Sequence, residues 1–321
     1  MSWHPMRRPA ADPLAGAAEL ATPGAWLAFA TKLLEKTGVA LGQVATDAHD
    51  EALYLILRTL ELSLESGPAV LRRSLKTGER ARLEAVFRRR VVDRVPAAYL
   101  TREAWLGSHR FFVDERVIIP RSYFLELIPG ALAACLPRET RVRRAVDVCT
   151  GSGCLAILLA KRFPRAHVHA TDLSAQALEV AALNVADHKL TKRVTLHETD
   201  TMTALLKGPK FDLILSNPPY EPEGIYRRLP AEFKKEPKGS LVSGKDGLDV
   251  IRKLLAQARE ALKPHGVLVI EVGGLRQAMH RAWPKLPILW LPTADGSDCV
   301  CLIHAADLRR ALPSPGARRG R

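Results

Sequence analysis

The stretch Ala145-Val-Asp-Val-Cys-Thr-Gly-Ser-Gly-Cys-Leu-Ala-Ile-Leu-Leu-Ala160 decides the fold. Its first four residues read as a buried β-strand, and Leu155–Arg162 reads as a helix. Between them, Gly151 and Gly153 let the backbone turn tightly and approach a ligand with no Cβ in the way. The helix that follows offers free N–H groups at the same point. A strand–glycine–helix turn serves nucleotide cofactors, but it also serves simple packing, so its neighbours matter. Asp172 closes the next β-run, where a carboxylate can accept both hydroxyls of a ribose. Asp200 closes the third run, where contacts to an adenine edge are made. Either acid alone reads equally well as a helix cap, since Asp172 precedes Leu-Ser-Ala-Gln at a helix start. With the glycine turn, the three positions point to a nucleoside ligand.

Outward from this turn the chain alternates. Ala145–Val148, His167–Ala170, Val194–His197, Phe211–Leu215 and Val267–Glu271 read as buried strands, and Leu155–Arg162, Ala175–Ala186 and Leu248–Leu262 as helices. Such alternation requires crossover connections, hence an α/β domain with a mainly parallel sheet covered on both faces. Ile288–Leu291 and Asp298–His304 complete the sheet. The chemistry is narrowed by Ser216-Asn217-Pro218-Pro219-Tyr220, at the end of the fourth strand. Two consecutive prolines lack N–H donors and hold φ rigid, so this backbone cannot continue a ladder. The Asn217 side-chain oxygen and the Pro218 carbonyl become two acceptors that match the two N–H bonds of a planar amino or amide group. Tyr220 can cover that group's flat face.

These residues identify a resemblance. The chain resembles the Rossmann-like, class I S-adenosylmethionine-dependent methyltransferases, and among them the protein-glutamine amide methyltransferases that carry an NPPY motif. The branch it looks most like acts on ribosomal protein L-three of the large (50S) subunit. Arg94-Val-Pro-Ala-Ala-Tyr-Leu, Ala104-Trp-Leu-Gly, Val113-Asp-Glu-Arg-Val-Ile-Ile-Pro-Arg-Ser122, Leu229-Pro-Ala-Glu-Phe and Ser243-Gly-Lys-Asp-Gly-Leu-Asp249 carry the likeness, over roughly residues 25–305. The sister branch, which methylates release factors, is expected to carry PRPETE where this chain has the PRS of Pro120–Ser122. Tyr123-Phe124 and the tract Glu221–Arg228 depart from the pattern.

The resemblance implies a mostly parallel seven-stranded sheet, S-adenosyl-L-methionine as methyl donor, S-adenosyl-L-homocysteine as product, and no metal. It implies cofactor contacts at Asp147, Thr150, Gly151, Ser152, Gly153, Asp172, Asp200 and Asn217. Target contacts fall on Asn217, Pro218, Pro219, Tyr220, Pro120 and Arg121, with Asn217, Pro218 and Tyr220 carrying the reaction. A release-factor glutamine methyltransferase remains an alternative, as does a DNA or RNA methyltransferase acting on the amino group of adenine or cytosine. The latter would grip the same planar NH₂ after flipping the base from its stack. A ribosome-assembly factor that keeps the fold but only binds is the non-enzymatic alternative; the intact motif residues argue against it.

Upstream, the texture is helical between Trp26 and Arg94. Trp26, Phe29 and Leu33 open one helix, stopped by Gly38; Leu53, Ile56, Leu57, Leu60 and Leu64 mark a second, and Leu83, Val86, Phe87 and Val91 a third. The expected organisation is a disordered tail over 1–24, a helical substrate-recognition domain over 25–96, a β-hairpin linker over 97–120, the methyltransferase domain over 121–307, and a basic disordered tail over 308–321. Tyr99–Leu106, Phe111–Val113 and Val117–Ile119 are the β-prone runs of the linker.

Composition excludes the other broad classes. The chain has 321 residues, 47% hydrophobic and 26% charged, which rules out a disordered chain, a collagen-like repeat and a disulfide scaffold. Five cysteines without a CxxC pair read as reduced thiols rather than bridges or zinc ligands. His167 and His169 alternate along a strand and read as surface side chains rather than a metal site. No apolar run approaches a membrane span. Arg7 and Arg8 resemble the start of an export signal, but Asp12, Pro13 and Glu19 interrupt what would be its apolar core, so the expected location is the cytoplasm. The formal net charge is +14. Nine basic residues from Arg72 to Arg94 and the tail arginines fit either a solvated face or an RNA contact, so the expected partners are the ribosomal protein or an assembly intermediate, with RNA at the basic helix and tail.

Overall fold

A computed structural model describes residues 12–136 and 141–313. The chain divides into two compact units, Met1–Thr101 and Arg102–Arg321.

In the first unit, α1 (Pro23–Thr37) begins where the Thr22 hydroxyl accepts from the Ala25 N–H at 3.1 Å, and it ends at Gly38 in the left-handed region. Asp47 caps α2 (Ala48–Thr59), accepting from Asp50 N–H at 2.8 Å. At the start of α3 (Thr77–Val91), Glu79 reaches back to the Lys76 N–H at 2.8 Å. The short α4 (Ala97–Thr101) closes the unit. Trp26 stacks on Phe87 at 5.7 Å between ring centroids, within a core that includes Leu55 and Leu83.

One expectation fails here and another is narrowed. Residues 12–22 are not a loose tail, because Leu14 and Ala17 are buried in this core. The first eleven residues of the expected tail lie outside the described residues. The basic run around α3 is also less open than its composition suggests. Arg90 is fully buried against Glu51 at 2.7 Å and the Ala40 carbonyl at 2.8 Å. Arg73 clamps Glu79 through two hydrogen bonds, Arg88 grips Asp12 and Glu84, and Arg94 donates to the Thr37 carbonyl. Guanidinium groups with several donors in a fixed fork are suited to tying loops together.

The second unit opens with the hairpin β1 (Glu103–Leu106) and β2 (His109–Phe112), paired antiparallel. The hairpin is shorter than expected: Tyr99–Thr101 belong to α4, and Val117–Ile119 form no strand. Then come α5 (Phe124–Leu127), α6 (Ala131–Cys135), β3 (Arg144–Val148), α7 (Cys154–Arg162), β4 (His167–Asp172), α8 (Ala175–Asp187) and β5 (Val194–Glu198). The remainder is β6 (Phe211–Ser216), α9 (Glu223–Tyr226), α10 (Asp249–Ala261), β7 (Leu262–Glu271), α11 (Arg276–Ala282), β8 (Leu289–Leu291), β9 (Val300–His304) and α12 (Ala305–Ala311). Helix α12 overlaps the expected C-terminal tail, and its Leu308 is buried; residues 314–321 lie outside the described residues.

Seven strands form one sheet in the order β5-β4-β3-β6-β7-β9-β8, parallel except where β9 meets β7 and β8. This is the mostly parallel seven-stranded sheet that the resemblance implies. The order reverses between β3 and β6, which opens a crevice at the carboxyl ends of those strands. All six residues of β6 are buried, as a strand covered on both faces requires. One further correction concerns the strand histidines. His169 is buried rather than exposed, with Nδ1 2.8 Å from His197 Nε2 on β5. Burial pushes its pKa down to about 4, helped by the charge of Arg144.

Candidate active site

The loop after β3 is held from below. Asp147 is fully buried, and its Oδ2 accepts from the Thr150 hydroxyl at 2.6 Å and the Ala156 N–H at 3.0 Å. Burial pushes its carboxyl up to about 7 against those hydrogen bonds, and Oδ1 has no partner among the described residues. Asp147 therefore straps the loop to the first turn of α7. Gly153 is also structural. It sits at φ 80°, and a Cβ there would lie 3.1 Å from the Ala181 Cβ, so its role is the close packing of α7 on α8. Both residues hold the loop in shape, and the free Asp147 Oδ1 remains beside it.

The tip is Gly151, at φ 53°, whose N–H donates to Asp172 Oδ2 at 2.8 Å. Asp172 Oδ1 accepts from the Ser174 N–H at 2.9 Å, while Ser174 itself caps α8 through Ala177. Asp172 is thus not the helix cap. It links the β3 and β4 loops, with burial raising its carboxyl pKa. Cys149 is held at φ 62°, a left-handed conformation that a non-glycine residue adopts only when its surroundings impose it.

Two cavities meet at the crevice. A larger one, about 420 Å³, is lined by Gly151, Asp172, Leu173, Asp200, Asn217 and Pro219, among others. Leu173 is 71% exposed there, an apolar side chain left open beside a carboxylate. Asp200 faces this cavity too, but its carboxylate is ion-paired with Lys253. A smaller cavity, about 160 Å³, is lined by Pro120, Arg121, Thr150, Ser152, Pro218 and Tyr220. Asn217 borders both, as do Cys149 and Ser240.

The Asn217–Tyr220 segment is positioned from several sides. The Ser216 hydroxyl donates to the Val148 carbonyl at 2.7 Å, tying the end of β6 to β3. Tyr220 packs on Gly273, where a Cβ would come within 2.6 Å of the ring. Burial raises the phenol pKa of Tyr220. Beyond it the chain leaves in a long excursion and returns, closed at its neck by Glu221 N–H to Leu241 O at 2.7 Å and Ser243 N–H to Glu221 O at 3.0 Å. Arg121 holds that excursion. Its guanidinium donates to both oxygens of buried Glu236 at 2.8 and 2.9 Å and sits 5.2 Å over the Phe233 ring. Arg121 lines the smaller cavity while its charge is paired with Glu236.

Sequence reasoning missed Leu173, Glu236 and Glu271. Glu271 is buried at the end of β7 and accepts from the Ser122 hydroxyl at 2.5 Å and the Tyr123 N–H at 3.2 Å. The available signal was an acid closing a buried β-run, the same signal that singled out Asp172 and Asp200.

The profile of the Methyltransferase small domain family matches residues 129–236. A Neisseria meningitidis protein named ribosomal protein uL3 glutamine methyltransferase is 44% identical over 292 residues, covering 91% of this chain and 96% of that one. The chain belongs to the ribosomal protein uL3 glutamine methyltransferases. Members with the same name from Burkholderia pseudomallei and Bradyrhizobium diazoefficiens are 44% and 42% identical, over 84% and 91% of this chain and 90% and 93% of theirs. For a glutamine methyltransferase, the demand is to bring an unreactive carboxamide nitrogen against an activated methyl group. The two cavities sharing Asn217 suit such a meeting of two ligands.

Proposed function

We propose that this protein transfers the methyl group of S-adenosylmethionine to the side-chain amide nitrogen of a glutamine in ribosomal protein uL3 of the large subunit, leaving S-adenosylhomocysteine. The observation that carries this reading is the place of Asn217, at the junction of the two cavities and at the tip of a buried strand. The larger cavity fits the donor. Gly151 leaves room for close approach, Asp172 offers a carboxylate for ribose hydroxyls, and the open Leu173 side chain fits the face of a base. The buried, unpartnered Oδ1 of Asp147 suits a nearby positive charge. Thr150 and Ser152, in the smaller cavity, suit the polar end of the same molecule.

When bound, S-adenosylmethionine supplies a methyl group on positively charged sulfur, so the acceptor needs no strong base. The obstacle is the glutamine itself, because an amide lone pair is delocalised into its carbonyl. Asn217 Oδ1 and the Pro218 carbonyl accept the two N–H bonds of that amide and return electron density to nitrogen. Pro218 and Pro219 have no N–H, so the backbone here engages no further strand. With the donor bound, its methyl would pass to the amide nitrogen held by Asn217 and Pro218, the C–S electron pair staying on sulfur, and nitrogen would gain positive charge until one N–H proton passes to solvent water. Both acceptors act mainly on that growing charge, which stabilises the transition state more than the ground state, by about 3–4 kcal/mol for an essential group. Tyr220 closes the flat face and keeps the nitrogen in line; such alignment is worth about 7–11 kcal/mol. Glu236 acts through Arg121, holding the 229–241 segment over the smaller cavity.

The reaction belongs in the cytoplasm, on uL3 either free or in an assembly intermediate. Among the described residues no helix is long and apolar enough to cross a membrane. RNA contact, if the intermediate is the substrate, falls to the basic residues of α3 that are not held internally and to the C-terminal tail. The test is incubation with labelled S-adenosylmethionine and, separately, RNA-free uL3 and naked ribosomal RNA, followed by fragment mass spectrometry. Label on one glutamine of uL3 is expected; label on RNA alone would overturn the reading.

A further inference from the structure

We infer that Glu271 is a positioning residue, fixing which end of the Asn217 carboxamide faces the substrate. The inference rests on the amide-gripping role given to Asn217 above. In the sheet, Ser216 on β6 pairs in register with Ile270 on the parallel neighbour β7. Asn217 directly follows β6 and Glu271 ends β7, so this register brings the two side by side at the carboxyl edge of the sheet. Glu271 is 4% exposed, and its Oε2 is taken by the Ser122 hydroxyl and the Tyr123 N–H. The Asn217 side chain hydrogen-bonds the same carboxylate and favours its ionised form.

A carboxamide has nearly the same shape after a half-turn that exchanges its oxygen and its NH₂. Only the oxygen can accept from a substrate amide, so a grip that works requires something to set the orientation. An ionised carboxylate only accepts hydrogen bonds. Glu271 as a carboxylate therefore holds the NH₂ end of Asn217, and the oxygen is left facing the cavities. Protonated, the same group carries an O–H that can donate to the Asn217 oxygen, which turns the wrong end toward the substrate.

The charged and titratable groups facing Glu271 are Arg121, Tyr220 and Cys299, with Asp295 beyond, tied to the Tyr123 hydroxyl at 2.6 Å. Burial pushes the carboxyl up to about 7, against the pull of the Ser122 and Tyr123 donors and then of Arg121. Because that pKa is raised, the active ionised form is present above neutrality and is lost as pH falls.

The experiment is a kcat-against-pH profile on full-length enzyme with S-adenosylmethionine and uL3. In the unaltered protein, kcat should fall as pH drops through about 7. Glu271→Gln should lower kcat by about 10²-fold, the scale of a misaligned reacting group, while the KM for S-adenosylmethionine is unchanged and the acidic limb disappears. Ser122→Ala removes a donor that favours the ionised form, so it should move the acidic limb to higher pH. The inference fails if Glu271→Gln keeps normal kcat or retains the limb, or if Ser122→Ala leaves the limb in place. A normal Glu271→Gln beside an inactive Asn217→Ala would remove this inference and leave the proposed function standing.

Discussion

Gly273→Ala is the sharpest test of how Tyr220 is held. A Cβ at this position would lie 2.6 Å from Tyr220 Cε2 and 3.1 Å from Cδ2 and Cζ. Carbon atoms rest at about 3.5–4.0 Å, so the ring must retreat by about 1 Å. The backbone there is at φ 51°, where a residue with a Cβ costs about 1–2 kcal/mol more than glycine. In a domain of this size, that cost lowers the melting temperature by about 2–4 °C per kcal/mol, which leaves the protein folded. A reacting group displaced by about 1 Å loses about 10²-fold in rate, so kcat on uL3 should drop to that extent. The dissociation constant for S-adenosylmethionine, measured by calorimetry, should stay put, because Tyr220 lines the smaller cavity and not the larger. Gly274 provides the control: a Cβ there meets nothing within 4 Å, and its backbone is not left-handed. Gly274→Ala should therefore be silent. If Gly273→Ala turned over normally while its melting temperature fell, the argument that this ring positions the amide would be wrong.

Asn217→Ala should cut kcat by about 10²–10³-fold while donor affinity falls far less, checked by single turnover and calorimetry; near-normal turnover would contradict the amide-gripping role. Asp172→Ala should weaken S-adenosylmethionine binding by roughly 10²-fold, because hydrogen bonds to a charged group are worth about 1.5–3 kcal/mol each and two loops lose their link. An unchanged calorimetric constant would take Asp172 off the ribose. Glu236→Ala removes the bidentate partner of the one-third-exposed Arg121, so it should destabilise the second unit by about 1.5–3 kcal/mol, read as a lowered denaturation midpoint.

Much of the architecture is written in local pattern. The central β-runs, above all Leu213–Leu215 and Val267–Ile270, are apolar on both faces, and only a covered parallel sheet accommodates that, so the strands fall within a few residues of their expected places. The N-terminal helices announce themselves by spacing and by Gly38. The short helices α5, α6, α9 and α11 carry no comparable period, because four to seven residues make too few turns to show one. Residues 12–22 look like a tail because their few apolar side chains lack periodicity; Leu14 and Ala17 bury themselves only because α1 and α3 provide a surface. The arginines around α3 look like an open basic face because composition counts charge without its partners, and Glu51 stands far from Arg90 in sequence.

At the site, residue type and chain position alone marked the loop after β3, the acids that end β4 and β5, and the Asn-Pro-Pro-Tyr segment, since glycine freedom, proline rigidity and carboxylate chemistry are properties of single residues. What the tertiary structure decided was direction. It turned Asp147 into the scaffold and Gly151 into the tip, gave the Arg121 charge to Glu236, and set Glu271 beside Asn217 through the β6–β7 register. Those outcomes depend on which strands lie side by side and which side chains are thereby shut away from water, and neither is a property of any one stretch of chain.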